Sequence, residues 1–205
     1  MDSCFAFPRR FSYALLRSPP LAARVAAGER AQVQGRPAVA GTEVLAGEEI
    51  EIQPGGALEL TLERGGRVRL FPGTRLSLTA RGERVDLSAG KVWCEVERTG
   101  GVFAVRTGAG EARVLGTSFL VERQAEGATE VRVLGGSVEV EDAQGKGRVV
   151  VKGGQKTRVA AGAAPAAAVR YVPDEDRLEW ERLAREIGRG IKQDLDALKQ
   201  MLNRE

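Results

Sequence analysis

One pattern occurs twice in this chain and limits what it can fold into. Val85-Asp-Leu87-Ser-Ala-Gly90-Lys-Val92-Trp-Cys94-Glu-Val96 returns as Val131-Arg-Val133-Leu-Gly-Gly136-Ser-Val138-Glu-Val140. Apolar residues alternate, a glycine interrupts, and apolar residues alternate again. Alternation with a period of two places every second side chain on one face of a strand, so each run reads as a half-buried β-strand. A chain that repeats this unit is expected to be an all-β scaffold that displays surface.

The same alternation fills residues 42–160. Leu58, Leu60 and Leu62 share one face, as do Val68 with Leu70, Leu76 with Leu78, Phe119 with Val121, and Val149 with Val151. About thirteen short strands of roughly four to seven residues are expected, many of them antiparallel, in a sandwich or solenoid-like arrangement. Gly-Gly pairs at 55–56, 65–66, 100–101, 135–136 and 153–154 stand between alternating runs and are expected to make tight hairpin turns. Strands follow these glycines, whereas a phosphate-cradling loop needs a helix there.

The outward positions are mostly charged: Glu59, Arg69, Lys91, Glu95, Arg132 and Glu139 alternate with the apolar set. Trp93 breaks this pattern. It sits between Lys91 and Glu95, on the face opposite Val92 and Cys94. Two readings stay open: Trp93 marks a contact surface, or a loop or the C-terminal helix covers it.

Residues 1–40 carry six arginines against Asp2 and Glu29 and show no sustained periodicity. They read as a basic, flexible N-terminal segment. Residues 161–173 are rich in Ala, Pro and Gly and read as a linker. An amphipathic helix is expected over 174–205, opened by Pro173 and the acidic run 174–176, which suits the positive end of a helix dipole. Its apolar stripe is Trp180, Ala184, Ile187, Ile191, Leu195, Leu198 and Leu202. Such a stripe can dock on the sheet or pair with another chain.

Several function classes lose support. Net charge is +3 and no basic patch concentrates on the β region, so nucleic acid is not an expected partner. The chain has no histidine and two cysteines, Cys4 and Cys94. No spacing suits a metal, no catalytic pair stands out, and no cofactor motif is present, so a non-enzymatic role is expected. A bilayer helix needs about 20 consecutive apolar residues, and Arg9, Arg10, Arg17 and Arg24 break every early run. No export signal is evident, which points to the cytoplasm if this N-terminus is the native one.

Five segments in order resemble the FecR-domain family. They are Leu70-Phe-Pro-Gly-Thr-Arg-Leu76, Leu87-Ser-Ala-Gly90-Lys-Val92, Val114-Leu-Gly116-Thr117-Ser-Phe119, Val131-Arg-Val-Leu-Gly-Gly136-Ser-Val138, and Lys152-Gly-Gly154-Gln155. The resemblance covers about residues 42–160. It makes Gly90, Gly116, Thr117, Phe119, Gly136, Gly154 and Gln155 structural motif residues. It implies a periplasmic or cell-envelope location and a protein partner, an envelope receptor or regulator. It further implies a link to sigma-factor regulation or iron-siderophore signalling. The alternative is a self-associating scaffold that uses strand edges and the helical residues Trp180, Ile187, Ile191, Leu195, Leu198 and Leu202.

Overall fold

The computed structural model describes residues 19–172, 174 and 176–185 of the chain. Among the described residues fifteen strands form one sheet. They are β1 (Leu21–Val33), β2 (Arg36–Pro37), β3 (Glu43–Leu45), β4 (Glu49–Leu62), β5 (Arg67–Leu70), β6 (Arg75–Leu78), β7 (Arg84–Glu95) and β8 (Phe103–Arg106). Then come β9 (Gly110–Val114), β10 (Ser118–Arg123), β11 (Thr129–Gly135), β12 (Ser137–Asp142), β13 (Arg148–Lys152), β14 (Gln155–Val159) and β15 (Val169–Arg170). A helix, α1, runs over 176–185.

Three long strands, β1, β4 and β7, bend in the middle and pass from one half of the sheet to the other. The early part of β7 pairs with β6 and, in parallel, with β8; its late part pairs with β5 and β10. One half therefore runs β13-β12-β9-β8-β7-β6-β4-β1-β2, and the other runs β15-β14-β11-β10-β7-β5-β4-β1-β3. The halves face each other across a common core. Phe103 of β8 meets Phe119 of β10 edge-on, with ring centroids 6.3 Å apart, and Val105, Val138, Val140, Val131 and Val133 join the same cluster. Each such buried side chain contributes about 1.5–3 kcal/mol through removal of apolar surface from water. Cys94 lies fully inside this core as a free thiol, and burial pushes its pKa up. Cys4 lies outside the described residues.

The repeated glycine does not make a hairpin turn. Gly90 sits within the single strand β7 at φ +81°, and a Cβ there would lie 2.6 Å from Thr74 Cα. Gly136 is a corner at φ +88°. β11 before it pairs with β10 and β14, while β12 after it pairs with β9 and β13. The repeat thus encodes a crossing between the two halves, because the residues on either side of the glycine bond to different neighbours. Gly153-Gly154 is a corner of the same kind, whereas Gly65-Gly66 does close the β4–β5 hairpin.

Two other expectations need correction. The segment expected to be flexible over 1–40 contains β1, whose Ala22, Ala23, Val25, Ala31 and Val33 are buried. Bulges between Val25 and Ala27 and between Glu29 and Ala31 shift its register and hide the alternation. Residues 1–18 lie outside the described residues. The expected linker is pinned along the sheet edge. Val169 and Arg170 pair with β14, Thr157 Oγ1 donates to the Ala166 carbonyl at 2.6 Å, and the Tyr171 N–H donates to the Gly154 carbonyl at 2.8 Å. Between residues 42 and 160 there are twelve strands, and β4 and β7, at 14 and 12 residues, exceed the expected lengths.

Candidate functional site

The outer face of the second half carries the most distinctive cluster in the described residues. Cross-strand register builds it as a row. Glu59 of β4 stands opposite Arg69 of β5, Arg69 opposite Trp93 of β7, and Trp93 opposite Leu120 of β10. Leu120 stands opposite Arg132 of β11, which faces Lys156 of β14. Directly opposed side chains on one face lie close enough to interact, so the row is continuous across the sheet.

At its centre Ala57, Phe71, Trp93 and Leu120 form a second apolar cluster, apart from the core, and α1 lays Trp180 and Leu183 onto it. Trp93 is 7% exposed. The covered reading of Trp93 therefore holds, and it is not a free contact residue. Trp93 Nε1 donates to Ser118 Oγ at 3.0 Å, which satisfies its polar end. Phe71 and Trp180 meet edge-on at 5.5 Å.

Cations ring the apolar floor. The Arg69 guanidinium lies 4.9 Å from the Trp93 ring centroid and 5.5 Å from that of Trp180. It also pairs with Glu59 and Glu95, each at 2.9 Å. Burial works against its charge, but the hydrogen bonds and charges of Glu95 and Glu59 outweigh that, and its pKa is raised. Arg132 donates to Glu130 at 2.6 Å, Glu122 at 2.7 Å and Asp176 at 2.9 Å. Burial again opposes its charge, and these carboxylates raise its pKa on balance. The Lys91 ammonium sits 4.3 Å from the Phe71 ring centroid and pairs with Asp176 and Glu179. The Tyr171 hydroxyl donates to Asp176, and burial together with that bond pushes the phenol pKa well up.

The helix meets the sheet through Asp176, Trp180 and Leu183, spaced i, i+4, i+7 on one face. Ala184, expected in the apolar stripe, is exposed, and Leu183 takes its place. Ile187, Ile191, Leu195, Leu198 and Leu202 lie outside the described residues, as does Pro173.

The motif residues have structural places. Phe119 is in the core. Gly116 and Thr117 lead into β10, where Thr117 Oγ1 donates to the Ser137 carbonyl at 3.0 Å and ties that turn to the Gly136 corner. The Gln155 side chain accepts the Lys152 N–H at 3.0 Å and closes the Gly154 corner. Beside the Gly116 and Gly136 turns lies a groove of about 430 Å³, bordered by exposed Val102, Leu115 and Val150. Among the described residues no three His, Cys, Asp or Glu side chains gather as a metal site, and no helix is long and apolar enough to cross a membrane.

Sequence reasoning placed Arg69, Lys91 and Arg132 outward but missed Leu120, Phe71 and Leu183. The signal for the first two was present. Phe119-Leu120-Val121 and Leu70-Phe71 are unbroken apolar runs, which mark strands covered on both faces.

Comparison with known proteins agrees with this architecture. Residues 48–139 match the family described as FecR protein. Two crystal structures of a candidate anti-sigma factor from Parabacteroides distasonis superpose with a TM-score of 0.52 at 25% identity. Each match covers 60% of this chain and 59% of that one. No curated protein matches the chain.

Proposed function

We propose that this chain, whose residues 48–139 form a FecR domain, is a non-enzymatic protein-binding and signalling module that acts in sigma-factor regulation at the bacterial cell envelope. The observation that carries the reading is the FecR match itself, which falls on the strands that build the helix-bearing face. The likeness to a candidate anti-sigma factor supports the same role. The physical argument is that a two-layer sheet with a filled core is a rigid display surface. A face combining buried aromatics with guanidinium and ammonium groups holds a protein segment by both area and charge. An envelope receptor or regulator, including one that answers to iron-siderophore uptake, is the partner class this role calls for.

The experiment is affinity capture with tagged full-length chain from bacterial envelope extracts, with Arg69→Glu as the matched control. Recovery of a sigma factor, its membrane regulator or a receptor by the wild type, and its loss with Arg69→Glu, is the expected result. Recovery of none of these by a folded wild-type chain overturns the reading.

A second reading, self-association through a strand edge, draws on β13. Among the described residues this strand pairs only with β12, and Val150 on it is exposed. Arg148 and Lys152 flank it, and such charges discourage edge pairing. Light scattering decides the matter: a monomer near 22.0 kDa removes the scaffold reading.

A further inference from the structure

We infer that the Phe71–Trp93–Leu120 face is an exchangeable receptor for an acidic amphipathic helix with an aromatic anchor, and that residues 176–185 fill it as a built-in competitor. The inference names the partner class of the proposed binding role and rests on that role for its biological use. Its test uses purified components only, so its failure leaves the sigma-factor reading standing.

The key residue is Lys91. Arg69 and Arg132 each hold carboxylates supplied by the sheet itself, Glu59 and Glu95 for the one, Glu122 and Glu130 for the other. Lys91 is different. Its side chain is 14% exposed, and the ion partners found for it among the described residues, Asp176 and Glu179, both come from the helix. That burial is reached with the helix in place, and an occupant that covers the ammonium without bringing a carboxylate leaves a buried unpaired charge, so the face favours an occupant that brings an acid to this point. The apolar floor sets the second requirement. Trp180 lies against Phe71 and Arg69 together, so the occupant needs an aromatic one turn after its acid.

The described part of the built-in helix holds the apolar floor through two side chains. Among its described residues the buried apolar ones are Trp180 and Leu183, while Leu178 is 55% exposed. What favours the internal occupant is its tether. Tyr171 is anchored to Gly154 and β15 to β14, so α1 is presented at high effective concentration. A partner helix with the same acid-to-aromatic spacing and more buried surface displaces it.

The test uses a fluorescent peptide of residues 174–185, stapled between the exposed positions 178 and 182, in anisotropy titrations against full-length protein. Three proteins are compared: wild type, Trp180→Ala, and Trp180→Ala with Lys91→Glu. Binding at least tenfold tighter to Trp180→Ala than to wild type, lost at least tenfold on adding Lys91→Glu, is expected. Equal binding to all three, or none to a folded Trp180→Ala protein, overturns the inference. Hydrogen exchange on the wild type provides a check that needs no variant. Amides of 177–185 exchanging at least a hundredfold faster than those of β7 and β10 fit an exchangeable helix, and equal protection contradicts it.

Discussion

Adjacent glycines at the corner between β11 and β12 should respond in opposite ways to the same substitution. Gly136 has φ +88°, and a Cβ there would lie 2.9 Å from Thr117 Oγ1 and 3.3 Å from the Gly116 carbonyl. Gly135 has open space around its Cβ position and no positive φ. Gly136→Ala forces an L-residue into a left-handed conformation, at about 1–3 kcal/mol. It also pushes Thr117 off the Ser137 carbonyl it holds at 3.0 Å, a bond worth about 1 kcal/mol. The sum is roughly 2–4 kcal/mol out of a total stability of about 5–15 kcal/mol. For a chain of this size that lowers Tm by roughly 4–16 °C. Gly135→Ala restricts the unfolded chain instead and is expected to be neutral or to stabilise by up to about 1 kcal/mol. Thermal melts followed by circular dichroism measure both. Equal melting temperatures for the two variants would refute the claim that Gly136 is a crossing point rather than a loop glycine.

Three further outcomes follow from the same contacts. Tyr171 has its pKa raised by burial and by donation to Asp176, so its contribution to stability is fully present below about pH 10 and fades as pH rises beyond that. Subtracting the phenolate titration of Tyr171→Phe should reveal a tyrosine ionising above the ordinary range, and an ordinary midpoint contradicts the Asp176 bond. At the acid end, burial acts to raise the pKa of Glu111 and of Asp142. It is outweighed by Arg106 and Arg113 for the first, and by the N–H groups of Gln144, Gly147 and Lys146 for the second. Both carboxyls end up depressed, so their stabilisation is present above about pH 4 and lost as pH falls through their folded values. The gap in Tm between wild type and Asp142→Ala should therefore narrow from pH 5 to pH 2, and a constant gap speaks against it. Arg69→Lys should lower Tm by roughly 2–8 °C, because an ammonium cannot reach both glutamates and stack on two indoles at once; an unchanged Tm contradicts the stacked geometry.

Much of the fold was legible because alternation reports burial directly. Val92, Cys94 and Val96 on one face and Lys91, Trp93 and Glu95 on the other are as the pattern placed them. Strand partners were not legible, because a glycine in an alternating run looks the same in a hairpin, a bend or a corner. Only the register of β7 against β6, β8, β5 and β10 separates these cases. β1 escaped notice because alanines supply little hydrophobic contrast and its two bulges break the period. The candidate site was half legible. Trp93 stood out as an aromatic on a charged face, and covering by the C-terminal helix was one of its two readings. The clamp formed by Arg69, Lys91 and Arg132 was not, since those residues lie on three strands and become neighbours only through cross-strand pairing.

The central proposal is that this chain acts in sigma-factor regulation, and transcript profiling of a deletion strain tests it most directly. The account predicts that a set of promoters sharing one recognition element changes together on deletion. It further predicts that wild-type chain restores them while the folded Arg69→Glu variant does not. A deletion strain with no coordinated promoter set, or one restored equally by both proteins, would contradict it.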